Sequence, residues 1–328
     1  MVKGDEIVEL GRTGLRVSRL GLGLASLGGL FEPVSDEQAA ATVDRAWQLG
    51  VRLFDTAPVY GYGRSETRAG RALRPRPRDD YVLCTKIGRL IEPGGPATQP
   101  IWADPPPGVG PRLDFSRAAV LRSVEDSLAR LGLDRIDVLH VHDPDEDYPA
   151  ALGEAYRALD DLRRAGVVRA VSLGVNHADA AARFLREAPP PGPDCVLLAG
   201  RYTLLDQSGL ADFLPLCVTR GVAVIAAGVF QGGLLTQPRT RNAPPAMRER
   251  IAALRAICAE ADVPPLAAAI QFPFGHPAVA TVLAGARSPA EIETSAALLA
   301  HPIPARLWER LHASGLLPAD TPLPATCG

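Results

Sequence analysis

Short apolar runs alternate with segments of helical period along the whole chain. Runs at 17–23, 51–55, 81–86, 136–141, 168–174, Cys195–Ala199, 222–227 and 279–284 read as strands. They are nearly continuous in apolar residues, the pattern of strands buried on both faces. Helical periodicity fills 35–49, 115–131, 149–165, 178–187, 210–220 and 289–299, and a longer stretch, 244–270, is interrupted by Pro264 and Pro265. The first of these has Ser35 as N-cap, Asp36 and Glu37 in its first turn, and Gly50 as its stop.

Strands alternating with helices predict a parallel sheet with crossover helices. Eight strands is also the number that closes a (β/α)8 TIM barrel. An open doubly wound sheet would carry a GxGxxG turn after its first strand. The region from Gly21 to Gly28 does not match that pattern. The chain is therefore expected to form a single α/β barrel domain over residues 1–328. Residues 7–12 and 13–16, around Gly11, read as a hairpin that plugs the N-terminal mouth. Two segments, 88–114 and 316–328, have no clear period. The first directly follows Lys86 and reads as a functional loop over the site.

Composition narrows the function. The 328 residues, 47% of them hydrophobic, suffice for a full core. A net charge of −2 and the lack of a basic run argue against nucleic acid or an anionic membrane as partner. Cys84, Cys195, Cys217, Cys258 and Cys327 are odd in number and scattered, which fits neither a disulfide framework nor a zinc ribbon. Reduced thiols, no apolar signal core at the start and no run near the ~20 residues that span a bilayer together predict a cytoplasmic protein. The partner expected is a small molecule; oligomeric state is not readable.

The candidate chemistry sits where strands run out into loops. Asp55 ends the second strand, Tyr60 follows on a loop tightened by Pro58 and Gly61, Lys86 ends the third, and His142 ends the fourth. In a closed barrel these ends converge at the C-terminal mouth, within roughly 10 Å across two strand spacings. A free tyrosine has a pKa near ~10, and a neighbouring ammonium favours its phenolate. Asp55 is placed to pair with Lys86, and His142 to orient a substrate oxygen, so the set makes a switchable proton donor and acceptor. His140 and His142 form an HxH pair that invites a zinc reading. No further His or Glu at strand ends completes such a site, so no metal is expected and His140 reads as a buried core histidine.

With these residues in view, the chain resembles the aldo-keto reductases over nearly its whole length. Asp55-Thr56-Ala57-Pro58-Val59-Tyr60-Gly61, Thr85-Lys86 and the stretch from Leu139 to Pro144 match that family's motifs. The resemblance implies a catalytic tetrad of Asp55, Tyr60, Lys86 and His142, and a nicotinamide dinucleotide bound extended without a Rossmann domain. It also implies cofactor contacts from Gly23, Asn176, Ala227, Val229, Phe230, Gln231, Gly232, Gly285 and Arg287. Two departures stand out. Ala199 takes the place of a glutamine on the sixth strand, and Ala226 or Ile225 that of a nicotinamide-stacking aromatic. Where NADP-preferring relatives carry an arginine, this chain carries Glu291, so NAD is expected over NADP, with Arg287 the main argument for NADP.

The stretches 199–207, 229–233 and 142–145 further resemble a branch of aldose 1-dehydrogenases acting on L-fucose, L-galactose or D-threo-aldoses, which also contains pyridoxal 4-dehydrogenases. The implied reaction moves hydride from an anomeric carbon to NAD and gives a lactone. Alternatives are a general NADPH-dependent aldehyde reductase and a cofactor-sensing regulatory subunit. Specificity is expected in Leu30–Phe31, in Trp102 within the 88–114 segment, and in the C-terminal tail. Trp102 reads either as an apolar wall for substrate or as a loop anchor.

Overall fold

A computed structural model describes residues 2–95, 99–235, 240 and 243–325. Twelve strands are present among them: β1 (Ile7–Glu9), β2 (Arg16–Ser18), β3 (Leu20–Gly23), β4 (Leu53–Asp55), β5 (Val82–Ile87), β6 (Arg89–Pro93), β7 (Val109–Leu113), β8 (Val138–His142), β9 (Ala170–Val175), β10 (Cys195–Ala199), β11 (Ala223–Ala227) and β12 (Val279–Gly285). Eight of them, β3, β4, β5, β8, β9, β10, β11 and β12, close in that order into a parallel barrel, with β12 returning to β3. The fold is the (β/α)8 barrel that the alternating pattern predicts.

Because side chains alternate across a strand, each barrel strand feeds two cores. Leu53, Val82, Val138, Ala170, Cys195, Ala223 and Ile225 fill the interior. Phe54, Leu83, Leu139, Val171, Val196 and Val224 pack outward against the helices. The predicted stretch 17–23 is two strands. Val17 and Ser18 belong to the β1–β2 hairpin, and Leu20–Gly23 enters the barrel. The hairpin's Leu10, Leu15 and Val17 are fully buried in the interior cluster, so it plugs the barrel floor as expected.

Helix Asp36–Gln48 starts as predicted, with Ser35 Oγ accepting the Gln38 N–H at 3.1 Å and Gly50 following at φ 83°. Helices Ala178–Glu187 and Pro289–Leu299 match their expected bounds, and the 244–270 region divides at its prolines into Pro245–Glu260 and Pro265–Gln271. Two helices escape the sequence pattern, Arg64–Leu73 and Ala305–Ala313. The first holds Gly70, which reads as a breaker. Yet a Cβ there would lie 1.8 Å from the Leu131 carbonyl oxygen, so Gly70 is what lets two helices touch.

The 88–114 segment also holds more structure than expected. β6 and β7 form an antiparallel pair, with Ile91 opposite Pro111. Proline is tolerated on such an edge. Residues 99–103 then cross back to the loop after β3, where Phe31 N–H donates to Ile101 O at 2.7 Å and Ala103 N–H to Gly29 O at 2.8 Å. The C-terminal tail, by contrast, leads away from the mouth. Pro322, Leu323 and Pro324 pack against Gly275, ahead of the N-terminal end of β12. Cys84, Cys195, Cys217 and Cys258 are buried free thiols, and Cys327 lies outside the described residues. No described helix is long and apolar enough to cross a membrane.

Candidate active site

Strand register explains how the polar groups meet. Asp55 is level with Cys84, and Lys86, two residues on, is level with His140. His142 is two further on, level with Gly174. The period of two turns Cys84, Lys86, His140 and His142 all inward. Lys86 therefore reaches toward Asp55, and its Nζ donates to Oδ1 at 2.8 Å, to Oδ2 at 2.7 Å and to the Thr56 carbonyl at 2.9 Å. Both partners are buried, so this is an ion pair hidden from water.

Tyr60 closes over the pair. Its ring centroid is 5.2 Å from Lys86 Nζ, and it meets the His142 ring edge-on at 6.1 Å. Asp55, Tyr60, Lys86 and His142 thus share one rim. The tyrosine loop is fixed from both sides. Thr56 N–H donates to the Cys84 carbonyl at 2.9 Å, and Ser65 Oγ donates to the Leu24 carbonyl at 2.8 Å. Gly28 and Gly61 press backbone to backbone: a Cβ on Gly61, whose φ is +60°, would lie 2.1 Å from Gly28 O. Behind the loop, Glu66 is wholly buried. It accepts from Thr85 Oγ1 at 2.7 Å and from Arg130 Nε at 2.6 Å, which ties the helix after Tyr60 to the strand that carries Lys86.

The charges follow from this burial. Burial pushes the Asp55 carboxyl up, but Lys86 and His140 more than offset it, and the group lies below its ordinary value as a carboxylate. Burial would likewise discharge Lys86, and Asp55 reverses that, so the ammonium persists. Burial and the nearby Lys86 and Arg89 cations hold His142 well below the usual imidazole range. It is a neutral ring, and its buried Nδ1 has no partner among the described residues. Tyr60 corrects the electrostatic expectation. Burial raises its phenol above the ordinary value, and Lys86 pulls it back only in part. Tyr60 therefore rests as a neutral phenol.

His140 is more than core filling. Its Nε2 lies 3.0 Å from Asp55 Oδ1 and its Nδ1 2.8 Å from Ser172 Oγ. Asp55, Cys84 and His140 each place a ligand atom within 4.8 Å of the others. Lys86 already takes both Asp55 oxygens, however, so a cation there would displace an ammonium.

A groove of about 800 Å³ runs from Asp55 and Tyr60 along the barrel mouth to helix Pro289–Leu299. Of the residues expected to hold a cofactor, Gly23, Ala227, Val229, Phe230, Gly232, Gly285, Arg287 and Glu291 line it, as does Phe31. Asn176 and Gln231 do not. The Asn176 amide donates to Asp143 Oδ1 at 2.9 Å, and the Gln231 amide joins two loops by donating to Gly200 O at 2.8 Å and Thr203 Oγ1 at 2.9 Å. On the seventh barrel strand Ile225 faces the interior plug and Ala226 the helices, so Ala227 is the side chain offered to the groove, beside Ala199. Trp102 is buried, its ring centroid 5.6 Å from that of Tyr60, and its Nε1 donates to Gln99 Oε1 at 2.9 Å. It does not line the groove but packs behind Tyr60 as a loop anchor.

Sequence reading missed Glu32, Thr294, Ser295 and Leu298, which also line the groove. Glu291, Thr294, Ser295 and Leu298 follow the i, i+3, i+4, i+7 spacing of one helical face, a readable signal once the helix is assumed to border a site. Arg287 is not open. Its NH1 lies 2.5 Å from Glu32 Oε2 and its NH2 3.1 Å from Glu291 Oε1. The groove is glycine-lined and runs from Tyr60 to helix Pro289–Leu299, which suits an extended dinucleotide.

Comparison with known proteins agrees with this geometry. Residues 19–315 match the aldo/keto reductase family. The chain is 40% identical to a D-threo-aldose 1-dehydrogenase from a Pseudomonas species, over 93% of this chain and 96% of that protein. It is 41% identical to a pyridoxal 4-dehydrogenase from Microbacterium luteolum, over 96% and 99%. Among solved structures, an aldo-keto reductase from Bacillus halodurans in its holo form superposes with a TM-score of 0.75 at 26% identity, over 98% of each chain. The chain belongs to the aldo/keto reductase family.

Proposed function

We propose that this protein is an NAD-dependent dehydrogenase of cyclic hemiacetals that oxidises an aldose of the L-fucose, L-galactose or D-threo type to its lactone. The observation that carries the proposal is the meeting of Asp55, Tyr60, Lys86 and His142 at the barrel mouth, where Asp55 and Tyr60 line one end of the groove. A nicotinamide, when bound, supplies the hydride acceptor. The chain supplies the rest. His142, held neutral and edge-on to Tyr60, is placed to hold the anomeric oxygen. Tyr60 takes that oxygen's proton, and the Lys86 ammonium beside it stabilises the phenolate that does so. Asp55 fixes Lys86 and keeps its charge balanced. Arg287 already engaged by carboxylates supports NAD over NADP and weighs against a general NADPH-dependent reductase.

A second reading, oxidation of pyridoxal in its hemiacetal form, draws support from the 41% identity to a pyridoxal 4-dehydrogenase. NAD⁺ reduction measured over L-fucose, L-galactose, D-arabinose and pyridoxal separates the two. Tyr60→Phe is expected to lower the rate on the preferred substrate by about 10²–10⁴-fold, the usual worth of a general acid–base group, while NAD⁺ still binds. Undiminished turnover in Tyr60→Phe would refute the assignment. Dinucleotide binding with no oxidation of any hemiacetal by the parent protein would favour a cofactor-sensing regulatory subunit.

A further inference from the structure

Arg287 is the one cation among the described residues that line the groove, and it is committed on every side. Its carbonyl accepts from Gln38 Nε2 at 2.9 Å and from Thr42 Oγ1 at 3.3 Å, both on helix Asp36–Gln48. Its backbone N–H donates to Glu291 Oε2 at 2.8 Å. Its guanidinium is shared between Glu291, in the first turn of helix Pro289–Leu299, and Glu32, which arrives from the loop after β3. On helix Asp36–Gln48, Arg45 is held by Glu293 at 2.6 Å and by Gln48. Two carboxylates against one guanidinium leave this end of the groove net negative.

Building on the dinucleotide reading of the groove, we propose that Glu32 is a coenzyme-specificity residue, which by occupying Arg287 from the neighbouring loop denies that guanidinium to a 2′-phosphate and selects NAD. A phosphomonoester carries about −1.5 to −2 charges at neutral pH. To reach Arg287 it must displace Glu32 or Glu291 and then lie beside the carboxylate it has freed. A ribose hydroxyl meets no such penalty and can donate to a carboxylate, the logic by which an acidic residue favours NAD in Rossmann folds. Surface ion pairs are weak, so the clasp does not bar entry to the groove; it sets a difference between two ligands.

Glu291 cannot report on this alone. It reaches back to the Arg287 N–H while its own N–H donates to the Ser288 cap at 3.3 Å, so changing it also frays the helix start. Glu32 is well exposed, caps no helix and pairs with Arg287, which makes it the cleaner probe.

Isothermal titration of the full chain with NAD⁺ and NADP⁺ tests the proposal. In Glu32→Gln the ratio of the NADP⁺ to the NAD⁺ dissociation constant is expected to fall about tenfold, or ~1.4 kcal/mol. In an Arg287→Ala background the same Glu32→Gln change is expected to lower the ratio much less than tenfold, since only the carboxylate's own repulsion of the phosphate is then removed. Glu32→Ser, which also removes the charge, should repeat the result. A ratio unchanged in Glu32→Gln and Glu32→Ser, a fall of the same size without Arg287, or a parent protein that prefers NADP⁺ overturns the role given to Glu32. A parent protein that binds neither dinucleotide overturns the groove assignment itself.

Discussion

Tyr60 concentrates the chemistry of the site in one hydroxyl. Burial raises its pKa and Lys86 only partly opposes that. A base acts when deprotonated, so the oxidation rate is expected to climb as pH rises from neutral into the alkaline range. Reduction needs the protonated phenol and should hold its rate over the same interval. Rate profiles in both directions check this, and oxidation that is flat or falls toward alkaline pH would contradict it. The Asp55–Lys86 pair carries a second prediction. Removing one member of a buried pair leaves the other uncompensated, so Lys86→Met should cost about 3–5 kcal/mol of stability as well as activity. Adding Asp55→Asn should restore part of the stability, read by urea denaturation, and none of the turnover.

At the level of elements, the site depends on loops held by close backbone contact. Gly61 has a left-handed φ and no room for a side chain against Gly28. Gly61→Ala is expected to cost on the order of 1–3 kcal/mol, the range for enforced backbone strain. It should also depress kcat more than it raises KM, because it moves Tyr60; an alanine variant with parental stability and kcat would show the contact to be incidental. These contacts also mark where sequence reading stops. The barrel strands are legible because both of their faces are apolar. Helix Arg64–Leu73 is not, since Gly70 looks like a terminator until Leu131 is seen against it. The β6–β7 hairpin is hidden by Pro111 and Gly110 in a strand that needs neither full burial nor a full hydrogen-bond ladder.

The whole molecule divides its labour between two ends. The floor is sealed by the β1–β2 hairpin, and the chemistry lies at the opposite mouth. Leu10→Ala should therefore lose about 2–5 kcal/mol of stability, as large-to-small core changes do, while kcat of the folded protein is unchanged. Asp55, Lys86 and His142 were readable because each lies at a strand's end, with Tyr60 on the loop after Asp55, and eight strands in sequence imply which ends are neighbours. The electrostatic state of Tyr60 was not, because it depends on how deeply the loop buries it. Nor was the Glu32–Arg287 contact, which joins residues from the first and last barrel strands' loops. The most direct test of the account is a crystal structure of the protein with NAD⁺. It should show the nicotinamide beside Tyr60 and His142 and the adenosine ribose beside Glu291; a dinucleotide seated elsewhere, or one lying in the reverse direction along the groove, would contradict it.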